Sequence, residues 1–139
     1  MIILDTNVVS ELMRPAPWPA IQKWLAKYSA DDLYSTNVTL AEILYGIELL
    51  SPGKRKSELL AGAERLFKVV LARRILPFEE AAARQFSSIA AERRGRGRPI
   101  AEFDAQIAAI ASVHDATLAT RNTSDFEGCG IRLVNPWVD

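Results

Sequence analysis

Asp5, Glu42, Asp104 and Asp125 are the acids of this chain whose surroundings call for an explanation. Asp5 directly follows the apolar run MIIL and is itself followed by Thr6 and Asn7. Glu42 lies in NVTLAEILYG, where Leu40, Ile43, Leu44, Ile47 and Leu50 form one apolar helical stripe. Asp104 lies in IAEFDAQIAAIASVH and shares its helical face with Ile100, Ala108 and Ala111. Asp125 belongs to LATRNTSDF, where Thr120, Asn122 and Thr123 crowd a strand-to-loop junction.

Each position also has a local explanation. Asp, Thr and Asn in a row suit a helix N-cap. Thr39-x-x-Glu42 matches a capping box, and Glu42 sits roughly 200° round the helix from Leu40, away from the stripe. The 120–125 segment satisfies an Asx- or ST-turn. Asp104 is harder to dismiss, because Glu102 already supplies a first-turn acid. A helix dipole returns a few tenths to about 1 kcal/mol to a carboxylate, less than burial against an apolar face costs.

Taken together the acids repeat one arrangement, at strand ends or near helix starts. In a parallel α/β sheet those points lie along a single edge. Carboxylates converging there repel one another, and a divalent cation relieves the repulsion. An all-oxygen donor set selects Mg²⁺ or Mn²⁺ over zinc. His114 is the only histidine and Cys129 the only cysteine, so zinc ligation and Ser-His or Cys-His catalysis have no basis. His114 reads as a helix C-terminal residue.

The dense basic run, Arg93, Arg94, Arg96 and Arg98 in RRGRGRP, reads as a loop, since two glycines and a proline cannot continue a helix. It is either a solvated surface or a grip on substrate phosphates near Asp104. Over the whole chain 17 basic and 17 acidic residues cancel, so any nucleic-acid binding must be local.

The elements that position these residues alternate. Strands are expected at 2–4, 33–35, 74–76, 117–120 and 131–134. Helices are expected from Asn7 to before Pro15, at 19–28, along the 40–50 stripe, and at 56–71, 79–94 and 100–114. This order predicts an α/β fold, a three-layer α/β/α arrangement around a central, mainly parallel sheet. A chain of 139 residues fits one domain, 1–139, and buries roughly 70% of its unfolded surface. There is no internal repeat or linker, no apolar run of the roughly 18 residues that span a bilayer, and no secretory pattern at the start. With one cysteine, the chain is expected in the cytoplasm.

The strings LDTNVVSEL at 4–12, TLAEILYGI at 39–47, ILPF at 75–78, IAEFDAQIAAIA at 100–111, LATRNTSDF at 118–126 and NPW at 135–137 occur in a telling order. In them the chain resembles the PIN-domain ribonucleases, specifically the VapC-type toxins of bacterial toxin–antitoxin pairs, including the FitB-like branch. The resemblance implies a parallel sheet flanked by helices, a metal-dependent phosphodiesterase site, a homodimer, and a small VapB-type antitoxin through which alone the protein would meet DNA. It maps the family's acids onto Asp5, Glu42 and Asp104. Many members carry a further aspartate where this chain has Asn122, and Asp125 is the substitute three residues on.

The resulting expectation is an Mg²⁺-dependent cleavage of RNA leaving a 5′-phosphate. Asp5, Glu42 and Asp104 bind the metal, Asp125 or Asn122 completes its surroundings, and Thr6, Asn7 and Thr120 hold the carboxylates by donating hydrogen bonds. Two rivals stand beside it. One is a degenerate PIN domain that only binds its antitoxin, with Asn122 marking a lost site. The other is a phosphatase or receiver domain, which lacks the second acid and the lysine its chemistry needs. Trp18, Trp24, Tyr28 and Tyr45 either furnish an antitoxin groove or belong to the core.

Overall fold

The computed structural model describes residues 1–139. Five parallel strands form one sheet in the order β3-β2-β1-β4-β5, with β1 at Ile2–Leu4, β2 at Leu33–Thr36, β3 at Ile75–Leu76, β4 at Thr117–Ala119 and β5 at Arg132–Val134. Each expected strand is present within a residue or so. β1 is central, with Ile3 opposite both Tyr34 and Leu118. Such a strand faces helices on both sides, which is why Ile2, Ile3 and Leu4 are an unbroken apolar run.

Six helices cover the two faces: α1 (Thr6–Leu12), α2 (Pro19–Leu25), α3 (Asn37–Glu48), α4 (Lys54–Arg65), α5 (Glu80–Gly95) and α6 (Glu102–Val113). On one face Ile3, Leu118, Ile89 of α5 and Ile107, Ala108, Ala109, Ile110 and Ala111 of α6 share a core with Phe126. The α6 run is fully buried, as expected of a helix that is apolar nearly all round. On the other face Leu4, Val8, Val9, Trp24, Ile43 and Ile47 pack with Phe67 and Leu71. The result is the expected three-layer α/β/α order.

Several boundaries differ from expectation. The helix expected over 56–71 starts at Lys54 and gives way at Leu66–Val70 to a π-turn, with the Leu71 N–H donating to Leu66 O at 2.8 Å. The wider turn lets Leu66, Phe67 and Leu71 all face the core. α2 ends at Leu25 rather than near Tyr28, whose ring packs on Trp24 at 4.9 Å. α5 continues to Gly95, so Arg93 and Arg94 are helical and the loop begins after them. Of the four aromatics, Trp24 and Tyr28 join the core, whereas Trp18 and Tyr45 are exposed. No helix is long and apolar enough to cross a membrane.

Candidate active site

The carboxyl ends of β1, β2 and β4 meet along one edge of the sheet. Asp5 is the first residue beyond β1, and its N–H donates to Ala119 O at 2.9 Å, which ties it to the end of β4. Asp5 is 4% exposed. Its Oδ1 accepts the Thr6 N–H at 2.8 Å, while Oδ2 accepts the Thr120 hydroxyl at 2.8 Å and Asn7 Nδ2 at 3.3 Å. Asp5 is therefore both the N-cap of α1 and the centre of the site; the two readings of DTN hold together. Burial pushes its carboxyl above the ordinary value, opposed by those three hydrogen bonds, and the charge of Asp125 adds to the rise.

Glu42 approaches from α3. Its Oε1 accepts the Thr6 hydroxyl at 2.9 Å, and Thr6 Oγ1 lies 3.1 Å from Thr39 Oγ1. The expected capping box is absent. Thr36 caps α3 by accepting the Thr39 N–H at 3.0 Å, so the fully buried Thr39 hydroxyl is free to meet Thr6. Thr39 thus belongs to the site, although the capping-box spacing concealed it. Burial raises the Glu42 carboxyl, the Thr6 bond lowers it, and the negative charge of Asp5 raises it again.

Asp104 stands half-buried in the first turn of α6. With Asp125, Arg93, Pro99, Ile100 and Ala101 it lines a small open hollow of about 170 Å³. Its carboxyl is pushed up to about 6, first by burial and then by the charges of Asp5, Glu42 and Asp125, with Arg93 pulling the other way. Asp104 therefore feels the charge of the other three acids. Asp125 is carried on the short turn Thr123–Phe126, whose Phe126 plugs into the core at 1% exposure. No three of the acids close into a ready-made metal cage.

Two expectations need correction. Asn122 is exposed, and only its backbone takes part, its N–H donating to Thr120 Oγ1 at 3.1 Å. Its side chain makes no capping bond to the Thr123–Phe126 turn and none to a carboxylate. Arg93 is not a phosphate grip. It is 5% exposed, with Nε donating to Arg98 O at 2.8 Å and Nη1 to Asp125 O at 2.8 Å and Glu127 O at 3.1 Å. The helical extension of α5 turns it inward, where it clamps the turn that carries Asp125. Arg96 pairs with Glu92, and Arg98 lies 3.7 Å from Glu127; Arg94 stays exposed.

Residues 2–128 match the PIN domain family. Toxin FitB of Neisseria gonorrhoeae is 40% identical over 139 residues, covering 100% of both chains. VapC ribonuclease Y4jK of Sinorhizobium fredii is 37% identical, over 99% of this chain and 98% of that protein. Among solved structures, FitAcB from Neisseria gonorrhoeae superposes with a TM-score of 0.88 at 39% identity, covering 100% of each chain. The four acids, two beyond strand ends and two on helices, are thus found on a fold shared along the whole length of known relatives, and the chain belongs to the PIN domain family.

Proposed function

We propose that this chain is a metal-dependent endoribonuclease, the toxin of a toxin–antitoxin pair, which hydrolyses RNA phosphodiester bonds. The observation that carries the reading is that Thr6 bridges Asp5 and Glu42 beyond β1, while Asp104 and Asp125 line one hollow beside them, where Asp104 feels the charge of the other three acids. Carboxylates gathered there without a cation repel one another, and a divalent cation is the simplest charge that relieves them. The relatives' names, a toxin and a VapC ribonuclease, support the same direction.

The donor set suits a hydrated Mg²⁺ or Mn²⁺ better than a dry cage. All candidate donors are oxygens, and Mg²⁺ keeps several waters while taking one or two carboxylates. Asp5 and Asp104 would hold it directly, with Glu42 and Asp125 reaching it directly or through water. When bound, the cation supplies an acidified water and offsets charge that builds on the phosphate. The chain's own task is orientation. Thr120 and Asn7 fix Asp5, Thr6 and Thr39 fix Glu42, and Arg93 fixes the turn of Asp125. A small VapB-type antitoxin, a homodimer and a cytoplasmic setting complete the proposal.

The test is cleavage of single-stranded RNA by Asp5→Asn and Asp104→Asn proteins shown to be folded. Loss of cleavage in both is expected. Normal cleavage with either acid replaced overturns the reading.

A further inference from the structure

The closing NPW stands on the same edge of the sheet as the acids. β5 lies beside β4, with Val134 opposite Ala119. The residues leaving these two strands, Thr120–Arg121 and Asn135–Trp137, therefore emerge side by side. The Thr120 N–H donates to Val134 O at 2.9 Å, and Asn135 Nδ2 donates to Arg121 O at 3.4 Å. The Arg121 N–H donates to Asn7 Oδ1 at 3.1 Å, and the Asn7 amide in turn holds Asp5. Arg121 is thus two hydrogen bonds from the central carboxylate.

Its guanidinium carbon lies 5.1 Å from the centroid of the Trp137 ring. That ring is a fixed shelf: Trp137 is partly buried against the core that holds Leu4 and Ala119, and its backbone N–H donates to Asn135 Oδ1 at 2.9 Å. The Arg121 residue is exposed, and none of the chain's ion pairs includes it. A loose guanidinium beside several acids relaxes onto one of them. Stacking on an indole holds it away and leaves its N–H edge free. Of the arginine run before α6, Arg93 is occupied by carbonyls, Arg96 by Glu92 and Arg98 by Glu127, and only Arg94 stays exposed without an ion pair.

We propose that Arg121, held over the Trp137 ring, is a substrate-binding residue that takes a phosphate of the RNA strand on the β5 side of the acids. The assignment rests on the ribonuclease reading above. A polyanion approaching a negative site needs a positive contact beyond the metal, and a guanidinium edge matches a phosphate with two parallel N–H donors. Trp137 fixes the rotamer before the strand arrives, so little side-chain freedom is lost on binding.

The experiment is steady-state cleavage of a fluorescently labelled single-stranded RNA with Mg²⁺, repeated across salt concentrations, for wild type, R121A, R121K and R121E. R121A is expected to raise KM about tenfold and leave kcat within about twofold, as loss of one charged hydrogen-bonded contact does. The slope of log(1/KM) against log salt should fall by about 0.7, the value for one phosphate of a single strand. R121K should recover part of the affinity and R121E should lose more than R121A. All variants should melt like wild type, since the side chain is exposed. Wild-type KM and salt slope in R121A, or a fall in kcat alone, overturns the assignment while the ribonuclease reading stands. A wild-type protein that leaves RNA intact overturns both.

Discussion

The Thr120 hydroxyl donates to Asp5 Oδ2 at 2.8 Å across 115 positions of sequence. Thr120 Oγ1 in turn accepts Asn7 Nδ2 at 3.2 Å and the Asn122 N–H at 3.1 Å. One fully buried hydroxyl therefore joins β1, α1 and the turn after β4. It also opposes the rise that burial imposes on Asp5.

Thr120→Val keeps the shape and removes this node. It is expected to cost about 1–3 kcal/mol of folding stability, because a buried carboxylate loses a donor. The Asp5 carboxyl should rise further, so Mn²⁺ affinity should drop, and drop most at acid pH where protons compete. Thr120→Ser should restore both properties. Urea denaturation and calorimetric Mn²⁺ titration at pH 6 and pH 8 check the outcome; equal Mn²⁺ affinity in wild type and valine variant sinks it.

Asp104 sets a pH dependence whose sign follows from its raised carboxyl, about 6 against an ordinary 3.8. Between those values the folded state holds a proton that the unfolded state has released, so stability falls as pH rises through that window. Above pH 6 the penalty is complete. Removing the charge with Asp104→Asn should therefore raise the melting temperature of metal-free protein more at pH 7.5 than at pH 4. Melting curves in EDTA at both pH values decide it, and an equal shift at both contradicts the sign.

Much of this candidate site is legible in the sequence. Asp5 is legible as an acid at the carboxyl end of a doubly buried strand, even though the same residue also serves as the N-cap of α1, and Asp104 is legible because the helical face it shares is otherwise apolar. Thr39 was concealed by a spacing that serves equally for a cap, since only the register of α3 against α1 turns its hydroxyl toward Thr6. The inward turn of Arg93 was illegible for a different reason. Its acceptors are backbone carbonyls, present at every residue and silent in sequence, and two of them lie more than thirty positions away. Trp137 was visible only as part of a family string, because its partner Arg121 is brought to it by the pairing of β4 with β5.

Metal should stabilise the fold. At about 100 times its dissociation constant, a cation that binds only the native state adds about 2.7 kcal/mol. Mg²⁺ and Mn²⁺ titrations followed by melting temperature should therefore rise with concentration in wild type and stay flat in the Asp5→Asn, Asp104→Asn double variant. A flat wild-type curve favours the rival in which Asn122 marks a site that has lost its metal and the protein serves only as a binding module.

Arg93 separates a structural cation from a substrate cation. Its guanidinium gives hydrogen bonds to Arg98 O, Asp125 O and Glu127 O, and contacts Cys129 Sγ at 3.4 Å. Arg93→Met fills similar space but leaves those carbonyls without a donor. Hydrogen bonds from a charged group are each worth about 1.5–3 kcal/mol, while methionine recovers the desolvation of the cation. The net loss is therefore expected near 2–4 kcal/mol. Arg94→Met, one position along and exposed, should stay within about 0.5 kcal/mol of wild type. Lysine at position 93 should rescue little, because one ammonium cannot span carbonyls that a planar fork reaches from two sides. Chemical denaturation of the three variants distinguishes the roles. Equal stability in Arg93→Met and Arg94→Met would return Arg93 to the surface run in which its sequence first placed it.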